Sequence, residues 1–230
     1  MLTRLAIFDL DGTLIDSIGD LADAMNAVLQ NLGHPVHPRP DYRYLVGDGI
    51  EILVRRALPP EVIESTDIPE VVQQMRDEYS TRWTATTRPF PDIPELVIEL
   101  HARQVRTTVL SNKPDAPTRE IVGELFPDKP FEVVHGAREG VPLKPDPTST
   151  LEIISGAKVS PQQTVFVGDT PVDIETGANA GTRTVGVTWG FRDAQELLEA
   201  GADHIIHQPF ELLHLLNGAA RVAGRSQSQP

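Results

Sequence analysis

Short β-branched apolar runs alternate with helical patterns along most of this chain, and that alternation limits the fold more than any single residue does. The runs are Leu5–Phe8, Val105–Leu110, Phe131–Val134, Thr164–Val167, Thr184–Val187 and Ile205–Ile206. Helical stretches are read at Glu95–Arg103, Thr118–Leu125, Thr150–Ser155, Asp173–Ala180 and Ala194–Ala200. Strands separated by helices build βαβ units, whose crossovers lay the strands parallel and cover the sheet. Runs such as LAIF and TVFV are almost continuously apolar, as strands buried on both faces should be. The expected fold is α/β, a Rossmann-like parallel sheet with helices on both faces.

One region interrupts the pattern. From Ser17 to Trp83 the chain shows helices and no strand. Leu21, Ala24, Met25, Val28, Leu29 and Leu32 recur at i, i+3, i+4, i+7, i+8 and i+11, the stripe of an amphipathic helix. Ser17 with Asp20 reads as a capping box, and Gly33 with Pro35 as the stop. Further helices are expected at Ile50–Leu58, closed by Pro59-Pro60, and at Glu70–Trp83, after which Arg88-Pro89-Phe90-Pro91 forms a stiff return. The expected organisation is a small α-helical cap domain, 16–87, inserted into an α/β core of 1–15 and 88–217. The last residues, 218–230, read as a disordered tail.

Composition removes whole classes of chemistry. Twenty Lys and Arg against 33 Asp and Glu give a net charge of −13, which opposes binding to nucleic acid or to an anionic membrane. There is no cysteine, so disulfides, thiolate nucleophiles and Cys-type metal sites are excluded. No apolar run approaches the ~20 residues that span a bilayer. The expectation is a soluble, cytoplasmic, acidic protein, a monomer or homodimer, acting on a small molecule.

Four polar motifs remain. Asp9-Leu10-Asp11-Gly12-Thr13 follows the strand LAIF, Ser111-Asn112-Lys113-Pro114 follows TTVL, and Gly168-Asp169-Thr170-Pro171-Val172-Asp173 follows TVFV. The fourth is Lys144-Pro145-Asp146-Pro147. Each alone has a plain structural reading: an Asp-Gly turn, a Ser/Asn turn, a capped helix start, a solvated lysine in a proline-rich loop. Together they differ, because ligands of open α/β sheets bind beyond the carboxyl ends of the strands, where three of these motifs fall. Asp9, Asp11, Asp169 and Asp173 at one edge repel one another unless a cation intervenes. Oxygen ligands without His or Cys point to Mg²⁺. A carboxylate can also attack phosphorus covalently, and Ser111 and Lys144 offer a hydroxyl and a positive charge to phosphoryl oxygens. His204 and His207 flank a strand and are not read as a zinc pair.

The order DLDGT, SN, KP, GDTxxD resembles the haloacid dehalogenase-like (HAD) hydrolase superfamily, over nearly the whole chain. Val46-Gly47-Asp48-Gly49, the Arg55-Arg56-Ala57-Leu58 helix end and Thr188-Trp189-Gly190-Phe191 make it most similar to the phosphoglycolate phosphatases. The resemblance implies that Asp9 is nucleophile and Mg²⁺ ligand. It implies that Asp11 is general acid and base and offers the metal its backbone carbonyl. Asp169 would complete the protein ligands, with Asp173 behind them. Ser111 and Lys144 would hold the phosphoryl group, and Thr13, Asn112, Gly47 and Gly49 would meet the substrate. Arg55 or Arg56 is either a reader of a second anionic group or part of a solvated helix face. Where some relatives carry two lysines before the proline, this chain has Leu143 and Lys144. The implied activity is Mg²⁺-dependent hydrolysis of a phosphomonoester, with 2-phosphoglycolate favoured. Alternatives are a pyrophosphatase, a sugar-phosphate phosphatase or a phosphoglucomutase-like enzyme, and outside enzymes a phospho-accepting receiver module.

Overall fold

A computed structural model describes residues 2–216, so the tail expected at 218–230 lies outside the described residues. The first strand, β1 (Leu5–Phe8), is followed by a two-residue strand, β2 (Ile15–Asp16). The helical insert comes next: α1 (Ile18–Asn31), α2 (Tyr42–Leu45), α3 (Ile50–Ala57) and α4 (Ile68–Ser80). The chain returns through β3 (Arg88–Pro89) and runs on as α5 (Ile93–Ala102), β4 (Arg106–Pro114), α6 (Asp115–Leu125), β5 (Val133–Ala137) and α7 (Thr148–Gly156). It closes with β6 (Thr164–Gly168), α8 (Pro171–Asn179), β7 (Arg183–Val187), α9 (Ala194–Glu199), β8 (His204–Ile206) and α10 (Leu212–Leu215). Among the described residues no helix is long and apolar enough to cross a membrane.

Six strands form one sheet in the order β5-β4-β1-β6-β7-β8, all neighbours parallel. β1 is its axis. Leu5, Ala6, Ile7 and Phe8 are all fully buried, and their alternation sends them to opposite layers. Ala6 and Phe8 pack with α5 and the insert, whereas Leu5 and Ile7 pack with Ile153, Ile154 and Phe166. The insert contributes Met25, Val28, Leu29, Leu53, Val54 and Met75 to the first of these cores, so its apolar stripe is continuous with the sheet's packing.

Three expectations change. Ser111–Pro114 forms the end of β4 rather than a loop after it, because the pairing with β5 shifts register and resumes at Pro114↔Ala137. The return segment is not merely a stiff linker, since β2 and β3 pair antiparallel, Ile15↔Pro89 and Asp16↔Arg88. A two-residue strand containing proline leaves no periodic signal to read.

The capping box at the start of α1 does not form. Ser17 donates to Asp11 Oδ1 (2.6 Å), and Asp20 reaches the far side of the insert's neck. Asp20 is buried and accepts from the backbone N–H of Thr86 and Thr87 and from both hydroxyls, at 2.6–3.0 Å. Long-range partners satisfy both residues more fully than the local pair would. Burial by itself would push the Asp20 carboxyl up, but these bonds outweigh it and hold it below its ordinary value. Asp20→Ala is therefore expected to lower unfolding free energy by about 2 kcal/mol at pH 7, chiefly by stranding the hydroxyl and amide of buried Thr87. The depressed pKa makes this contribution present above about pH 4 and lost as pH falls through the folded value, so urea titrations should show the deficit shrinking in acid.

Candidate active site

β1 ends at Phe8 and releases Asp9; the neighbouring β6 ends at Gly168 and releases Asp169; β4, on the other side, ends in Ser111, Asn112 and Lys113. The chain leaves β1 toward β4 on one side and later returns to β6 on the other. This is a topological switch point, where crossovers diverge and leave a crevice.

Asp9, Asp169 and Asp173 meet there, with one carboxylate oxygen of each lying within 4.8 Å of the others. Each is held by a separate device. Asp169 accepts from Thr13 Oγ1 (2.9 Å) and from the backbone N–H of Phe191 (2.8 Å). Asp173, in the first turn of α8, accepts at Oδ2 from the N–H and hydroxyl of Thr170, the capping residue of that helix. Lys144 reaches across to donate to Asp9 Oδ1 (2.7 Å) and Asp173 Oδ1 (2.6 Å). Its backbone is clamped by the Asn112 carboxamide, which accepts from Lys144 N (2.9 Å) and donates to Lys144 O (3.1 Å).

The electrostatics are unbalanced. Three buried carboxylates face one ammonium. Burial, reinforced by Asp173 and Asp11 and opposed by Lys144, pushes the Asp9 carboxyl up to about 7. Burial with Asp173 and Asp9 raises Asp169 well above the carboxylate range. Burial alone would depress Lys144, but Asp173 and Asp9 together hold it above an ordinary lysine. An all-oxygen cradle with uncompensated negative charge fits a hard divalent cation such as Mg²⁺. Gly12 shapes that cradle: its φ is +92°, and a Cβ there would stand 2.3 Å from Asp169 Oδ2.

Asp11 belongs to a different group. Its carboxylate accepts from Lys113 Nζ at 3.0 and 3.1 Å, and from Ser17. Asp9, Asp11, Ser111, Asn112 and Lys113 line one side of a cavity of about 490 Å³. The insert lines the other with Gly47 and Gly49, both at positive φ, and with Leu21, Val46, Ile50, Leu53, Met75 and Trp83. Thr13 and Asn112 spend their polar side-chain atoms on Asp169 and Lys144, and so act as supports of the cradle.

Arg55 and Arg56 are engaged at the surface by Glu51 (2.8 Å) and Asp48 (2.6 Å), which corresponds to the solvated-face reading. His207 shares a hydrogen bond with Thr188 (2.8 Å), and the described residues show no His-containing metal cluster. The sequence did not disclose the supports supplied by Lys113, Tyr79, Trp189 and Phe191. Trp189 Nε1 donates to Thr13 O (3.0 Å), and Phe191 acts through its backbone N–H, a group no side-chain pattern reveals.

Comparison with known proteins agrees with this architecture. The haloacid dehalogenase-like hydrolase family profile matches residues 6–187. The chain is 32% identical over 201 residues to the phosphoglycolate phosphatase of Pseudomonas putida, covering 85% of this chain and 73% of that one. It is 30% identical over 214 residues to the phosphoglycolate phosphatase of Aquifex aeolicus, covering 93% and 97%. It superposes on a crystal structure from Lactobacillus delbrueckii subsp. bulgaricus with a TM-score of 0.88 at 29% identity, covering 94% and 99% of the two chains. With sheet order, acidic cradle and family profile in agreement, the chain belongs to the haloacid dehalogenase-like hydrolase family, in which it is similar to the phosphoglycolate phosphatases.

Proposed function

We propose that this protein is a Mg²⁺-dependent phosphomonoester hydrolase working through an aspartyl-phosphate on Asp9, with 2-phosphoglycolate as its preferred substrate. The carrying observation is Asp9 itself, a buried carboxylate at a strand end, bonded to Lys144 and open to the cavity. Asp9, Asp169 and the backbone carbonyl of Asp11 would hold the cation, with Asp173 aligning Lys144 behind them. When bound, Mg²⁺ supplies positive charge to the phosphoryl oxygens and keeps the carboxylates ionised.

In this reading an oxygen of Asp9 forms a bond to phosphorus as the bond to the leaving oxygen breaks, and Asp11 gives that oxygen its proton. Asp11 then takes a proton from water, which attacks the phosphorus of the acyl phosphate and returns Asp9 with release of phosphate. Lys144 and Ser111 bind the charge spread over the transferring group. The insert, 16–87, serves as a cap domain that excludes water from the core formed by 1–15 and 88–217. The absence of cysteine suits a reducing cytoplasm.

The preference for 2-phosphoglycolate draws on the curated relatives at about 30% identity that bear that name. A panel of phosphorylated metabolites, ranked by kcat/KM in Mg²⁺, tests it. Phosphoglycolate should lead, and chelation should remove turnover that added Mg²⁺ restores. A lead for pyrophosphate or hexose phosphates would replace the substrate, and full activity after chelation would remove the metal.

A further inference from the structure

Tyr79 and Lys113 form a polar contact between the insert and the sheet. Tyr79 lies near the end of α4 and Lys113 near the end of β4, and both are buried at the cavity wall. Lys113 Nζ donates to the Tyr79 hydroxyl at 3.0 Å and stands 4.4 Å from the centroid of its ring, so one aromatic side chain offers the ammonium both an acceptor and a π face. The same nitrogen donates to both carboxylate oxygens of Asp11. Ser17, where the chain passes into the insert, donates to Asp11 from another direction.

We propose that Tyr79 is a positioning residue for Asp11, acting through Lys113, so that seating the insert on the sheet fixes the orientation of the proton-transferring carboxylate. The proposal rests on the acid–base part given above to Asp11. Lys113 is a long, flexible chain whose ammonium must find several partners once water is excluded. With Tyr79 in place it has a hydroxyl and a ring on the insert side, and among the described residues Asp11 is the only carboxylate it bonds. With the insert lifted, that side is lost, Lys113 regains rotamer freedom, and the carboxylate it anchors loses its fixed direction. Proton donation thereby becomes competent only when the cavity is shut against water.

Leaving-group dependence separates this role from simple support. An alkyl phosphate needs a proton on its departing oxygen, whereas p-nitrophenolate leaves without one. In single-turnover experiments, which isolate departure of the leaving group from the later hydrolysis that Asp11 serves as base for every substrate, Tyr79→Leu is expected to slow alcohol release from an alkyl phosphate about tenfold while p-nitrophenolate release stays within about twofold, KM moving little for either. Tyr79→Phe, which keeps the ring over the ammonium, should recover part of the loss, and Lys113→Met should reproduce it. Circular dichroism and thermal unfolding establish that each variant is folded, and Tyr79→Phe supplies the reading if Tyr79→Leu is not.

Equal slowing of alcohol and p-nitrophenolate release, or a change confined to KM, overturns the proposal; the second would make Lys113 a substrate reader. Asp11→Asn is the control. If it slows release of the two leaving groups equally in a single turnover, the acid assignment fails and the proposal with it. If it shows the leaving-group dependence and the Tyr79 and Lys113 variants do not, the proposal alone fails.

Discussion

Asp9→Asn abolishes phosphate release, with kcat falling by at least about 10⁴-fold, while the protein remains folded. An amide of the same shape cannot form the acyl phosphate, and removing one member of a group that acts as a unit costs most of the catalysis. Stability should change little or rise. Burial holds the Asp9 carboxyl up to about 7, against an ordinary carboxylate near 4, so its ionised form is disfavoured in the folded state. The folded protein then binds more protons than the unfolded one between about pH 4 and 7, and stability falls as pH rises through that window. The variant should lose this slope, because the amide does not titrate. Single-turnover assays and denaturant titrations at several pH values measure both effects, and residual turnover within tenfold of wild type would remove Asp9 as nucleophile.

Lys144→Met is expected to damage stability and activity together. The side chain is 4% exposed and holds two acids that are 9% and 1% exposed. Methionine matches its length and supplies no charge, leaving three buried carboxylates without their one ammonium. Removing one partner of a buried ion pair costs about 3–5 kcal/mol. For a chain of this size that corresponds to a fall in Tm of roughly 10 °C. The raised lysine contributes stability fully present below about pH 10 and lost only as pH rises past its folded value, so across the neutral range its absence is felt throughout.

The acids set the pH dependence of that loss. Without Lys144 their pKa values move higher still, so the deficit against wild type should widen from pH 5 to pH 8. A deficit that is the same at both pH values would mean that the loss is packing, not charge. Turnover should drop by about 10²-fold or more even for folded variant, because the positive charge aimed at the phosphoryl group is gone.

Much of this was legible from residue order. β1, β6 and β7 were readable because strands buried on both faces must be apolar throughout, and LAIF lies at 0–1% exposure as expected. The helix carrying Leu21, Ala24, Met25, Val28 and Leu29 was readable because its stripe repeats at the α-helical period and faces the core. Asp9, Asp169, Asp173 and Lys144 stood out as polar residues in short motifs, and the two motifs that carry the acids sit at strand ends that a parallel sheet brings together.

Other features had no such signal. Ser17 and Asp20 carry the spacing of a capping box, yet each side chain found a better-satisfied partner elsewhere, 6 and 66–67 residues away. Tyr79 reads as one more apolar-face residue of a helix until Lys113, 34 residues distant, is seen under its ring. Phe191 serves Asp169 through its backbone, which every residue possesses.

By itself, then, the sequence determined which segments are buried and which reactive groups are available, because burial requires periodic apolar residues and chemistry requires particular side chains. The tertiary structure decided which of the acids share a charge. Asp9 and Asp173 fell to Lys144, and Asp11 fell to Lys113. Coulombic and hydrogen-bond energies depend on separation and on exclusion of water, and neither quantity exists until the sheet and the helical insert have closed around them.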